Sequence, residues 1–141
     1  MSKGDTFEND FLNLVFKAVA IANIADNAAT APLTSLYVSL HTADPGETGT
    51  QATSETTYTG YARVAVARPA GWTVTANSVS PAANIVFGAW VAGAGTLTHW
   101  AVGVAVSGAT KLLYSGTISP TIPLGAGSIP TITPSSTITE D

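Results

Sequence analysis

Arg63-Val64-Ala65-Val66-Ala67-Arg68-Pro69-Ala70-Gly71-Trp72-Thr73-Val74-Thr75 contains two short runs of alternating character separated by Pro69 and Gly71. A period of two places successive side chains on opposite faces of an extended strand, and Pro and Gly mark the turn between them. The stretch therefore reads as two consecutive strands, and it sets the class of the fold.

Working outward, the same grammar recurs. Leu36-Tyr37-Val38-Ser39-Leu40 is an upstream strand. Downstream, Ala83 to Phe87, Thr96 to Val106, Leu112 to Ser119 and Ile129 to Thr139 are further strands. Ala76-Asn77-Ser78, Gly93-Ala94-Gly95, Ser107-Gly108-Ala109 and Gly125-Ala126-Gly127 read as turns. Pro130 and Pro134 mark the last strand as an edge or an interrupted one. Seven or eight short strands at this spacing predict a mainly β fold, a β-sandwich or jelly-roll-like barrel. His41 to Gly60 is a long polar connection, and connections of about 20 residues are uncommon and usually functional or mobile.

The N-terminus differs. Asp5-Thr6-Phe7-Glu8 has the form of a helix capping box. Phe7, Phe11, Leu14, Val15 and Ala18 follow at helical spacing, with Asn9, Asn13 and Lys17 on the other side. One α-helix is expected, ending between Ala20 and Asn27, with Pro32 as a stop. Residues 1–32 are read as helix and linker and 33–141 as the β-sandwich, the two forming one domain, as the length of 141 residues suggests.

Only 10% of the residues are charged, against roughly 25% in an average soluble domain. The five cations, Lys3, Lys17, Arg63, Arg68 and Lys111, are scattered through a chain of net charge −4, so a nucleic-acid partner is not expected. Ala82 to Ala94 is too short and too interrupted to span a bilayer. Phe11 to Ala22 is apolar, but acidic residues precede it and Lys17 interrupts it, so a helix is expected there rather than a secretory signal. Cysteine is absent, which removes disulfides and thiolate chemistry.

Residues that carry chemistry are few. His41, Asp44 and Glu47 lie within seven positions, yet their spacing matches neither a transition-metal set nor a calcium loop. A strand end followed by a turn, with Asp44 capping its own loop, accounts for them. His99 is expected to be solvent-facing or hydrogen-bonded. No nucleophile elbow and no phosphate loop is present. We therefore expect no catalysis, metal or cofactor. Of Trp72, Trp90 and Trp100, two are expected in the core. Trp90, in the glycine-rich stretch from Phe87 to Gly95, is expected at an exposed apex or an interface.

Asp5-Thr6-Phe7-Glu8-Asn9-Asp10-Phe11-Leu12, Leu36-Tyr37-Val38-Ser39-Leu40-His41-Thr42-Ala43-Asp44-Pro45-Gly46 and Tyr58-Thr59-Gly60-Tyr61-Ala62-Arg63-Val64-Ala65-Val66 occur in that order. Thr96 to Gly103, Leu112 to Gly116 and the terminal Ile138-Thr139-Glu140-Asp141 continue it. This order resembles a family of small tailed-bacteriophage and prophage virion structural proteins, tail-fibre-like or capsid-decoration-like. The resemblance implies a component of the virion without enzymatic activity. The first expectation is a capsid decoration or cement protein, a homo-oligomer bound to the major capsid protein. It would dock through the N-terminal helix and the Thr42-to-Thr59 loop, with Phe7, Phe11, Tyr58 and Trp90 as candidate interface residues. The alternative is a tail or tail-fibre component with a receptor contact near Trp90. A third class is a carbohydrate-binding module or hydrolase.

Overall fold

The computed structural model describes residues 5–21 and 33–140, with side chains in the helix described from Glu8 onward. Its elements are α1 (Asp5–Lys17), β1 (Ser35–His41), β2 (Val64–Ala67), β3 (Trp72–Thr75), β4 (Ser78–Pro81), β5 (Ile85–Val86), β6 (Thr96–Gly103), β7 (Leu112–Pro123), β8 (Thr131–Ile132) and β9 (Ile138–Thr139). They form three open sheets, ordered β2-β1-β6-β7, β3-β4-β9 and β5-β8. The fold is mainly β with one N-terminal helix, as expected, and no described sheet closes into a barrel. The chain divides into two compact units of discontinuous segments. One comprises Met1–Ser35, Val66–Asn84 and Ile132–Asp141, and the other Leu36–Ala65 and Ile85–Thr131.

In the first unit, α1 packs on the β3–β4 hairpin. The hairpin pairs Trp72 with Pro81 and Thr75 with Ser78, and Ala76 turns the corner with a left-handed backbone. β4 begins at the end of the expected Ala76-Asn77-Ser78 turn and is a strand that was not expected, formed because β3 and β9 pair with it on its two sides. Asn77 holds β9 there by exchanging bonds with Glu140: its carbonyl accepts from the Glu140 amide and its Nδ2 donates to the Glu140 carbonyl, each at 2.9 Å.

The buried face of α1 is not the stripe expected from spacing. Glu8, Leu12 and Phe16 are buried, whereas Phe11, Leu14 and Val15 are only partly covered. Apolar side chains cover roughly half of this helix, with Asn9, Asn13 and Lys17 on the rest, and spacing alone does not say which part of that broad arc is buried. Trp72 chooses it, meeting Phe16 edge-on with ring centroids 4.8 Å apart. Asn9, on the side opposite the expected stripe, donates to the Ala76 carbonyl at 2.6 Å. The Phe7 side chain and the Asp5 half of the capping box lie outside the described side chains. The proposed stop at Pro32 lies outside the described residues.

The helix ends at Lys17, earlier than expected. Ala18 adopts a left-handed conformation and Val19 N–H donates back to the Asn13 carbonyl. The last helical carbonyls lack intrahelical partners. Arg68 supplies them: Nη2 donates to Leu14 at 2.6 Å and Nε to Val15 at 2.8 Å, while Nη1 reaches the Leu33 carbonyl at 3.0 Å.

In the second unit β1 and β6 pair antiparallel from Tyr37↔Gly103 to His41↔His99, and β7 follows on the far side of β6. Leu36, Val38 and Leu40 bury one face of β1, as alternation requires. The other face is buried too: Ser39 and His41 are fully covered. The long connection from Thr42 to Gly60 is therefore folded structure and not a trailing loop. β7 runs on to Pro123, beyond the expected Ser119, because a strand at a sheet edge tolerates proline. The single expected C-terminal strand is instead β8 and β9, in separate sheets, divided by a turn in which Ser136 N–H donates to the Thr133 carbonyl.

Candidate interaction surface

The second unit is built around a polar knot. Arg63 and Glu55 form a two-point ion pair, Nε–Oε1 and Nη2–Oε2 both 2.7 Å, with side chains 2% and 15% exposed. Arg63 also donates to the carbonyls of Ala105 and Gly108, at 3.0 and 2.9 Å. Tyr61 donates to Glu55 at 2.7 Å and accepts from the Leu40 amide. Burial raises the pKa of this phenol far above its ordinary value, and the Arg63 guanidinium is raised chiefly by its bond to Glu55.

Gln51, fully buried, ties three segments together. It donates to the Tyr37 carbonyl at 3.0 Å and accepts from Thr110 Oγ1 at 2.9 Å and from the Ala105 amide at 3.3 Å. His41 Nδ1 lies 2.8 Å from the Thr53 carbonyl, which only accepts, so Nδ1 carries the proton. Nε2 then accepts from Ser39 Oγ at 2.9 Å. Burial lowers the pKa of this imidazole, consistent with its neutral form. Asp44 does cap its own loop, accepting from the Gly46 amide at 2.9 Å. His99 is half-buried, with Nδ1 2.9 Å from Thr98 Oγ1. Among the described residues no three His, Cys, Asp or Glu side chains gather as a metal set.

What the knot supports is a crossing of two backbones. Tyr61 stacks on Phe87, with centroids 6.1 Å apart and planes 12° apart, and Tyr58 donates to the Gly88 carbonyl at 2.7 Å. Thr59 exchanges backbone bonds with Val91 and Ala92 at 2.9 and 2.8 Å. A methyl on Gly88 would overlap the Gly60 carbonyl oxygen, and one on Gly60 would overlap that of Ala89. Gly88→Ala is accordingly expected to cost about 3 kcal/mol, read from urea unfolding. Gly125→Ala, where nothing lies within 4 Å, should stay within about 0.5 kcal/mol.

Beyond the crossing the chain runs beside the segment from Ser128 to Ile132. Phe87 N–H donates to Pro130 and Trp90 N–H to Ser128, both at 2.9 Å, continuing the β5–β8 pairing. Val86, Val91 and Ile129 on these segments are 54%, 64% and 57% exposed. Half-buried Trp90 sits among them in sequence and pairing, its indole N–H fixed on the Gly93 carbonyl at 3.1 Å. This ribbon is the candidate interaction surface: apolar, hydrogen-bonded along its length and uncharged.

Of the interface residues read from sequence, Trp90 lies here. Tyr58 does not offer its ring to a partner, because it is buried beneath the crossing. Phe11 is half-buried on α1 in the other unit, and the Phe7 side chain is outside the description. Trp72 and Trp100 are buried, as expected for two of the three tryptophans. Val86, Val91 and Ile129 escaped sequence reading, since an exposed valine or isoleucine in a strand is spelled like a buried one. The glycines around Trp90 were the available signal.

A family model described as podophage GP4 fiber I protein gp80 matches residues 2–139. The chain belongs to this gp80 fibre protein family. No curated protein matches it in sequence. Membership in the gp80 family makes the chain a bacteriophage virion structural protein of fibre-like type. No described helix is long and apolar enough to cross a membrane.

Proposed function

We propose that this chain is a structural part of the phage fibre, joined to neighbouring tail or fibre proteins through the apolar ribbon carrying Val86, Trp90, Val91 and Ile129. The family match over residues 2–139 carries the reading, because the description it bears is that of a fibre protein and not of a head protein. Decoration of the major capsid protein, expected first from size and the helical arm, has no comparable support. The chain acts by contact and not by catalysis. His41, Glu55, Tyr61 and Arg63, its most reactive-looking buried groups, are taken up in hydrogen bonds within the fold.

Gold-labelled antibody on purified particles tests the location. Label at the tail in a few copies is expected, and label spread over the head or absent from the particle overturns the reading. The surface is tested by Trp90→Ala with Val91→Ser. The variant should unfold at the wild-type midpoint yet be missing from particles assembled in its presence. Core anchors of an interface cost about 2 kcal/mol or more on truncation, so roughly a thirtyfold loss of incorporation is expected.

A further inference from the structure

His41 holds the connection that follows it by two separate means. Its backbone forms a bridge with Glu55, and the bonds from Thr42 N–H to the Ser54 carbonyl and from Thr56 N–H to the Leu40 carbonyl flank that bridge. Its ring, fully buried, donates from Nδ1 to the Thr53 carbonyl at 2.8 Å and accepts at Nε2 from Ser39. This arrangement needs the neutral imidazole. A proton on Nε2 would turn that acceptor into a donor and leave the Ser39 hydroxyl without its partner. Across the ladder His41 is paired directly with His99, so the two imidazoles leave the same face of the sheet from opposed positions. His99 is only half-buried.

We infer that His41 is an acid-sensitive latch: protonation of its ring loosens the connection from Thr42 to Thr56 from β1. The latch acts through charge, since a cation at this position has lost its water and gains no carboxylate of its own. Glu55 faces the ring and favours the proton, but both its oxygens are already held by Arg63. Arg63 and His99 oppose the proton as like charges, and Tyr61, bonded to Glu55, stays neutral. β7 places neutral Thr117 opposite His99. Burial outweighs the favourable contacts and lowers the His41 pKa. In the loosened connection the ring meets water and regains its ordinary value of about 6.5. The open state then binds the proton more tightly than the closed one. Closure is therefore at full strength above about pH 6.5 and weakens as the pH falls below it. The inference concerns the second unit alone and stands apart from the fibre assignment.

Hydrogen exchange of the full chain tests it, read by NMR between about pH 7 and pH 5, the range in which histidine ordinarily changes charge. Rates are corrected for the intrinsic dependence of exchange on pH. The amides of Thr42, Thr53 and Thr56, all bonded within the connection or to β1, should lose about tenfold in protection over that range, while those of β6 hold. The His41 ring, followed in the same spectra, should titrate below the ordinary histidine value. His41→Gln, which keeps a donor and an acceptor but cannot take up a proton, should abolish the loss. Protection unchanged at the acid end, a fall shared equally by β6, or a fall as large in His41→Gln as in the wild type overturns the inference. So does a His41 ring that titrates at the ordinary value, a result read in the wild type whether or not the variant folds.

Discussion

Glu55→Ala is expected to destabilise the unit containing it by about 3–5 kcal/mol, the cost of leaving a buried charge without its partner. The Arg63 guanidinium would remain in place, held by the Ala105 and Gly108 carbonyls, but with no anion to offset its desolvation. Tyr61 would lose its acceptor as well. In a chain of this size the loss corresponds to a fall in melting temperature of about 10–15 °C. Glu55→Gln keeps an acceptor for Tyr61 and one for Arg63, and should fall between alanine and wild type. Hydrogen exchange locates the damage. The amides of Thr42, Gln51 and Thr56, which bond within this connection or to its neighbours, should lose protection before those of β6. If Glu55→Ala unfolds at the wild-type midpoint, the pair does not hold the connection, and the support that Tyr61 gives to Phe87 does not depend on it.

This knot also shows where sequence reading stopped. Alternation in Val64 to Ala67 and Trp72 to Thr75 was enough to place strands, because period two is a local property of extended backbone. The role of His41 to Gly60 was not local. Gln51 and Thr56 belong to a stretch that reads only as a polar connection, yet both are buried: the Gln51 side chain is satisfied by the Tyr37 carbonyl and Thr110, and the Thr56 amide bonds the Leu40 carbonyl. The face of α1 was hidden for another reason: its apolar arc is broad, and the part that is buried, Leu12 and Phe16 with Glu8, lies at one flank of the stripe that spacing picks out. β4 was missed because Asn77 and Pro81 are turn and breaker residues. In the sheet they occupy the hairpin corner and the strand end opposite Trp72, where neither breaks a ladder. Trp90 was singled out as an interface candidate because glycines crowd the sequence on either side of it. Its companions were not.

The two arginines of the opening stretch do different work at opposite ends of one strand, and Arg68 sets the second large effect. Arg63 is neutralised by a carboxylate. Among the described residues Arg68 has no such partner, and burial lowers its pKa accordingly. Its charge faces the C-terminal carbonyls of α1, where the helix dipole places partial negative charge. Arg68→Met preserves much of the buried stem but leaves the carbonyls of Leu14, Val15 and Leu33 without their donor, at an expected cost of about 2–4 kcal/mol. Arg68→Lys keeps the charge but lacks the planar fork that reaches three acceptors at once, so it should recover less than half of the loss. The bond is buried, so the difference between wild type and Arg68→Met should persist in 1 M salt, where the Debye length is about 3 Å and an exposed pair would be silenced. A difference that vanishes in salt would mean that Arg68 acts as a surface charge and that Ala18 and Val19 close the helix unaided.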